Sequence, residues 1–172
     1  MASLVALLRG VNVGGKNPVP MAQLRELVES LGATEVRTYI QSGNVIFADE
    51  GRITSTALEE AIRARFSLDI RVVLRTATEL TRAMQANPFP TADVSAVHIG
   101  FMAVAPSAAL VAGIDREPFL PDEFEVIGTE MYLHLPNGQA TTRLPAHLGR
   151  RLKVPTTVRN WTTVAKLAAL AE

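Results

Sequence analysis

Residues 35–48, with the sequence EVRTYIQSGNVIFA, contain two short strands joined by a tight turn. Glu35–Gln41 and Asn44–Ala48 are rich in β-branched and aromatic residues, and Ser42-Gly43 between them is typical of a β-hairpin. Apolar periodicity predicts a strand and a helix before this hairpin and a helix and a strand after it, over Ser3–Val11, Pro20–Leu31, Ile53–Phe66 and Ile70–Arg75. The resulting order, β-α-β-β-α-β, predicts a ferredoxin-like unit.

The second half of the chain repeats this pattern in outline. We predict a strand over Val97–Val104, a hairpin around Gly128-Thr129, and helices over Thr78–Asn87, Pro106–Ala112, Ala146–Leu152 and Asn160–Ala171. The last helix is capped by Asn160. The fold class is therefore α+β, with two tandem ferredoxin-like (βαββα-type) subdomains over residues 1–76 and 77–172. Because no low-complexity linker separates them, we expect one composite domain.

Composition excludes several classes of function. The 172 residues are 48% hydrophobic and 20% charged, and none is cysteine, which rules out disulfides, thiolate metal sites and cysteine nucleophiles. No stretch approaches the ~18 apolar residues of a membrane span, and no signal peptide is evident, so we expect a cytoplasmic protein. Histidines 98, 134 and 147 lack the paired spacing of metal ligands, and no cofactor is indicated.

The charge is distributed unevenly although the net charge is zero. Residues 1–130 carry 11 basic and 16 acidic side chains, whereas residues 131–172 carry six basic side chains and one acidic one. A basic C-terminal third could contact a polyanion, or it could neutralise the acidic body of the same chain.

A glycine-rich segment follows the first predicted strand. Gly10–Lys16 (GVNVGGK) fits the spacing of a phosphate-binding P-loop, but Asn17 replaces the magnesium-binding Ser or Thr, and Pro18 and Pro20 delay the helix. A nucleoside triphosphatase is therefore disfavoured. Two readings remain: Gly14 and Gly15 present backbone N–H groups to an anion beside Lys16, or the glycines only turn the chain.

The predicted topology supports the first of these interpretations, an anion site at the glycine-rich segment. The first two strands of the unit should run in the same direction, so the Gly10–Asn17 loop and the turn at Ser42-Gly43 should lie at one edge of the sheet. Alternation along the second strand places Arg37, Tyr39 and Gln41 on one face. The candidate ligand-binding residues at this edge are Arg9, Asn12, Gly14, Gly15, Lys16, Arg37, Tyr39, Gln41 and Asn44.

A third polar segment is Arg159–Leu167 (RNWTTVAKL). Arg159 and Lys166 are candidates for phosphate contact, or they are simply solvated. Trp161 is predicted as a packing anchor rather than as a platform for base stacking, since large aromatic side chains dominate protein cores.

Four segments together resemble the bacterial domain of unknown function 1697 family. They are Leu7–Asn17 (LLRGVNVGGKN), Thr38–Phe47 (TYIQSGNVIF), Asn87–Phe89 (NPF) and Arg159–Leu167. The resemblance implies two α+β subdomains, each like a ferredoxin unit, and it covers essentially the whole chain. It implies no reaction, cofactor or partner, and it supplies no catalytic residue.

These observations predict binding of a phosphate-bearing ligand at the glycine-rich edge, including single-stranded nucleic acid as one such ligand. The alternatives are a small-molecule enzyme that uses the same edge and a protein-interaction module. For the enzyme, the sequence identifies no acid or base. The sequence leaves the oligomeric state open.

Overall fold

The computed structural model describes residues 2–172 and shows a mixed α/β fold with two four-stranded antiparallel sheets and six α-helices. The strands are β1 Ala2–Leu8, β2 Thr34–Tyr39, β3 Asn44–Asp49, β4 Val72–Thr76, β5 Val97–Met102, β6 Glu123–Ile127, β7 Glu130–His134 and β8 Thr156–Asn160. The helices are α1 Met21–Ser30, α2 Ser55–Phe66, α3 Ala77–Gln85, α4 Ala108–Ala112, α5 Leu144–Leu152 and α6 Trp161–Leu170. Among these helices, none is long and apolar enough to cross a membrane.

The described residues divide into two compact units. The first contains the chain up to Thr81 together with Lys166–Glu172, and the second contains Arg82–Ala165. The sheet of the first unit has the strand order β2-β3-β1-β4, and that of the second has β6-β7-β5-β8. Every neighbouring pair of strands in the two sheets is antiparallel.

Apolar side chains from one sheet face and the neighbouring helices form the core of each unit. In the first unit the fully buried residues include Phe47 of β3 and Leu58 and Ile62 of α2. In the second unit they include Phe124 of β6 and Leu148 of α5. The apolar spacing of α2 and α5 places one stripe of each helix in contact with its sheet.

Along the chain, β1 to α3 and β5 to α6 repeat the same seven elements, β-α-β-β-α-β-α. Matching backbone hydrogen bonds occur at the same positions in the two sheets. The pairs are Leu8 N to Gly43 O (2.9 Å) with Met102 N to Thr129 O (2.9 Å), and Arg9 N to Arg71 O (3.0 Å) with Ala103 N to Pro155 O (2.9 Å). Equivalent residues of the two units can therefore be compared directly.

Most predicted elements of the first unit are present, but β2 is shorter than predicted. It ends at Tyr39, and Ile40 adopts a left-handed backbone conformation with φ 50° and is exposed. The alternation therefore does not continue to Gln41, and the prediction that Gln41 shares a face with Arg37 and Tyr39 is wrong.

The second unit contains one strand that the sequence analysis missed. β8 (Thr156–Asn160) pairs with β5 and occupies a stretch that the sequence patterns left unassigned. The capping role of Asn160 is confirmed, since its Oδ1 accepts a hydrogen bond from Thr163 N at 2.8 Å. The hairpin at Gly128-Thr129 is also present, formed by β6 and β7.

Candidate functional site

The glycine-rich loop forms a miniature hairpin at the end of β1. Lys16 N donates to Val13 O at 2.9 Å, and Asn12 N donates to Asn17 O at 3.1 Å. Gly14 and Gly15 occupy the two central positions of the turn, with φ values of 56° and 75°. Positive φ at both positions defines a type I′ turn, which glycine adopts without strain. The two glycines therefore shape the tip of the loop.

Asparagine side chains hold this hairpin in place. The Nδ2 group of Asn12 donates to Val19 O at 2.9 Å and to Gln41 O at 2.7 Å, and its Oδ1 accepts from Val19 N at 2.8 Å. Asn17 Nδ2 donates to Gly10 O at 3.0 Å. The bond from Asn12 to Gln41 joins the loop to the β2–β3 turn, so both lie at one edge of the sheet.

Close packing strengthens the junction between the two segments. Gly43 has φ +82°, and a Cβ atom at this position would lie 2.5 Å from Val11 Cγ2 and 2.8 Å from Leu8 Cβ. Asn44 is fully buried, and its Nδ2 donates to Tyr39 O at 3.0 Å and to Ser42 Oγ at 2.9 Å. The amides of Asn12 and Asn44 thus stabilise the turn region itself.

Two unpaired cations lie at this edge. Arg9 and Lys16 are exposed, and within residues 2–172 neither side chain forms an ion pair or a hydrogen bond. A third cation, Arg71, precedes β4 and lies 3.6 Å from the carboxylate of Glu59. The side chain of Gln41 is exposed, whereas Tyr39 is half-buried. The connection from residue 9 to residue 20 contains no acidic residue, so its charge is positive.

Arg37, Lys166 and Arg159 occupy other surroundings. The guanidinium of Arg37 donates to the carbonyl of Leu170 near the C-terminal end of α6. Lys166 is exposed on α6, and in the described chain no hydrogen bond or ion pair joins it to the glycine-rich loop. Arg159 belongs to the second unit, and Trp161 is half-buried at the start of α6.

Arg159 is a buried arginine within β8. Its Nη1 donates to the hydroxyl of Thr157 and to the carbonyl of Val158 at 3.0 Å. Burial lowers the pKa of Arg159 to about 10. Arg75 of β4 occupies the equivalent position in the first unit and likewise donates to the preceding carbonyl, Leu74 O, at 2.9 Å. The matching geometry points to a structural role for both arginines.

A polar cleft in the second unit was not identified by the sequence analysis. Its volume is about 510 Å³, and it lies between the chain that precedes β6 and the start of α5. Its lining includes Phe119, Asp122, Thr142, Arg143, His147 and Arg150. The spacing of residues 143, 147 and 150 on one helical face was an available signal, but Asp122 lies 21 residues before Arg143, and only the fold brings it close. Within residues 2–172, no cluster of three His, Asp or Glu side chains is arranged to hold a metal ion.

Comparison with known proteins relates the chain to one protein family and to a solved structure. A family model described as "Protein of unknown function (DUF1697)" matches residues 1–132 and thus stops before Arg159–Leu167. A solved structure described as that of conserved bacterial protein SP0830 from Streptococcus pneumoniae is 21% identical, with a TM-score of 0.74 and 99% of each chain covered. At this identity the likeness concerns the fold alone. No curated protein matches the chain.

Proposed function

Since the chain belongs to the DUF1697 family of proteins of unknown function, its own residues must suggest its role, and we propose that it binds a phosphate-bearing ligand at the glycine-rich edge. The supporting observation is the length of one connection. Residues 9–20 join β1 to α1, whereas residues 103–107 suffice for the equivalent connection from β5 to α4. The equivalent connection of the second half thus lacks a hairpin like that at Gly14-Gly15, which supports a functional role for this loop.

The chemistry of the hairpin suits an anion. Lys16 and Arg9 are exposed and unpaired, so they can bind a phosphate without first breaking an ion pair. Gly14 and Gly15 lack side chains, which allows a ligand to approach the backbone closely. In this proposal the side chain of Gln41 orients the ligand. Asn12 and Asn44, which are also candidate ligand-binding residues, hold the loop and the turn in this proposal.

Rigidity of the loop favours binding. The side chains of Asn12 and Asn17 donate three hydrogen bonds and accept one, and these four bonds fix the hairpin before any ligand arrives. A preformed site loses less conformational entropy on binding than a flexible one. The bonds within the hairpin therefore contribute to affinity even though they do not touch the ligand.

We further propose that each unit is ferredoxin-like and that the protein is cytoplasmic. We interpret each four-stranded sheet with its helices as a ferredoxin-like subdomain, on the basis of its element order and strand order. The lack of cysteine suits a reducing cytoplasm.

Two exposed apolar side chains favour a second candidate, a protein-interaction module. Val13 is 61% exposed and Ile40 is 51% exposed, and they flank the hydrogen bond between Asn12 and Gln41. A protein partner would bury both side chains, whereas a phosphate ligand would leave them largely exposed.

For an enzyme at this edge, Glu59 is a poor base, because it already accepts from Val72 N at 3.0 Å and pairs with Arg71.

A thermal-shift screen tests the proposal with sugar phosphates, nucleotides, inorganic phosphate and short single-stranded RNA and DNA. A ligand that binds only the folded state raises the melting temperature by mass action. We expect at least one phosphate-bearing compound to raise it, and Lys16→Glu to reduce the rise. Arg82→Glu is the control, since Arg82 is an exposed cation on α3.

The pattern of responses distinguishes the candidates. Responses confined to oligonucleotides and lost steeply with added salt identify nucleic acid as the ligand. A response to one small phosphate identifies a small-molecule site. A Lys16→Glu protein that responds like the unaltered protein would exclude the loop as the site. No response to any compound favours the protein-interaction module instead.

A further inference from the structure

We propose that the cleft at the start of α5 is a second, independent binding site, and that it takes a phosphorylated sugar. The cleft belongs to the second unit and contains none of the residues of the glycine-rich edge. Its volume of about 510 Å³ lies within the usual range for small-molecule sites.

Two arginines and a histidine are arranged along one wall of the cleft. Arg143 precedes the first turn of α5, and His147 and Arg150 follow at helical spacing, so all three lie on the same face. Within residues 2–172, neither Arg143 nor Arg150 pairs with a carboxylate. Six arginines elsewhere in the structure do have such a partner, namely Arg25, Arg52, Arg63, Arg65, Arg71 and Arg116. Two unpaired guanidinium groups facing one cleft are suited to a phosphate.

The same cleft also contains a carboxylate, whose charge is opposite to that of the two arginines. Asp122 is half-buried and accepts a hydrogen bond from the hydroxyl of Thr142. The Thr142 hydroxyl in turn accepts from Leu144 N at 3.2 Å, which fixes this pair at the start of α5. A carboxylate offers about four acceptor positions, so Asp122 retains capacity for hydroxyl groups of a ligand. A sugar supplies such hydroxyls.

Aromatic rings complete the wall. The rings of Phe119 and His147 lie 4.8 Å apart with an interplanar angle of 42°. Pro118 adds further apolar surface beside them. A partly apolar wall with a few convergent polar groups is typical of small-molecule sites. The C–H face of a sugar fits this wall while its hydroxyls face Asp122 and its phosphate faces the arginines.

Titration with ribose 5-phosphate, followed by the backbone amide resonances of 15N-labelled protein, tests this proposal. We expect saturable shifts within Thr141–Arg150, and because the cleft is independent of the glycine-rich edge, these shifts should persist in Lys16→Glu. Ribose alone and inorganic phosphate alone should bind more weakly, since each satisfies only half of the cleft. AMP carries the same phosphorylated ribose, so its affinity relative to ribose 5-phosphate shows whether a free sugar phosphate or a nucleotide is the better ligand.

Variants of α5 and the opposite wall make the test specific. Arg150→Gln should weaken binding of ribose 5-phosphate about tenfold or more, since it removes a charged hydrogen-bond donor. Arg151→Gln is the matched control on the same helix and should change the affinity by no more than about twofold. Asp122→Asn should reduce the preference for ribose 5-phosphate over inorganic phosphate.

The proposal fails under two outcomes. Absence of saturable shifts in Thr141–Arg150 at millimolar ribose 5-phosphate and AMP would exclude the site. Equal weakening by Arg150→Gln and Arg151→Gln would show diffuse electrostatic attraction rather than a cleft. The amide spectrum of each variant shows whether its fold is unaltered. Because Arg150 is exposed, Arg150→Gln tests the proposal even if Asp122→Asn disturbs the contact with Thr142.

Discussion

Replacing Gly43 by alanine tests how closely the glycine-rich loop and the β2–β3 turn are packed. The new Cβ atom would lie 2.5 Å from Val11 Cγ2 and 2.8 Å from Leu8 Cβ, so the turn must move away from both. Gly43 also has φ +82°, a conformation that costs alanine about 1–2 kcal/mol. Overpacking adds about 1–3 kcal/mol. We therefore expect Gly43→Ala to lower the free energy of unfolding by about 2–5 kcal/mol.

Gly51 provides a control for the backbone contribution. Its φ is +84°, almost the same as that of Gly43, but nothing lies within 4 Å of the position of a Cβ atom there. Gly51→Ala should therefore cost only the backbone contribution of about 1–2 kcal/mol. The difference between the two variants isolates the effect of the packing.

Urea unfolding followed by far-ultraviolet circular dichroism measures both variants. Because the chain forms two units, hydrogen exchange of the β1 and β3 amides assigns any loss to the first unit. Equal destabilisation by Gly43→Ala and Gly51→Ala would refute the reasoning, since it would mean that the two segments are not in tight contact.

The remaining predictions concern three side chains. Asn12→Ala should lower the free energy of unfolding by about 2–4 kcal/mol in urea unfolding, because three hydrogen bonds are lost; no measurable change would mean that they contribute nothing. Tyr132→Phe should cost about 1–3 kcal/mol, since Ala83 O loses its bond from the hydroxyl at 2.7 Å. Burial raises the pKa of Tyr132 to about 12, so the free energy of unfolding should fall as the pH rises from about 10 towards 12, where only the unfolded phenol ionises. Absorbance titrations of the protein and of Tyr132→Phe check this by difference, and ionisation of Tyr132 near pH 10 would contradict it. The hydrogen bond from Ile53 N lowers the pKa of Asp49 although the Asp49 side chain is buried. The stabilisation by this carboxylate should therefore be lost as the pH falls below 3.8. In acid unfolding, Asp49→Asn should weaken this pH dependence. An identical acid transition in Asp49→Asn would contradict the assignment.

Local sequence patterns predict most elements because their signals are continuous. The hairpin at Ser42-Gly43 and the helix capped by Asn160 each follow from turn or capping residues beside an apolar pattern. β8 was missed because Thr156–Asn160 has only five residues and contains Arg159, which reads as a surface residue in isolation. Its burial depends on pairing with β5, and no local pattern encodes that contact.

The candidate site was predictable in position but only partly in detail. The direction of β1 and β2 brings the glycine-rich loop and the β2–β3 turn to one edge, as the element order suggests. The role of Asn12 could not be read from the sequence, because its partners Val19 and Gln41 become neighbours only in the folded chain. Arg37 likewise contacts Leu170, which lies 133 residues later.

The internal repeat provides information that neither half gives alone. Arg75 and Arg159 make equivalent bonds, which indicates that the fold uses a buried arginine at this position in both units. The long connection between β1 and α1 has no counterpart between β5 and α4. Features shared by both halves are therefore assigned to structure, and features of one half are the better candidates for function.

The most direct test of phosphate binding at the glycine-rich edge is an amide chemical-shift titration of the 15N-labelled protein with the best phosphate-bearing compound from the thermal screen. We expect saturable shifts at Gly14, Gly15 and Lys16, and their loss in Lys16→Gln but not in Arg82→Gln. Saturable binding that leaves these three amides unshifted would contradict the assignment of the ligand to this edge.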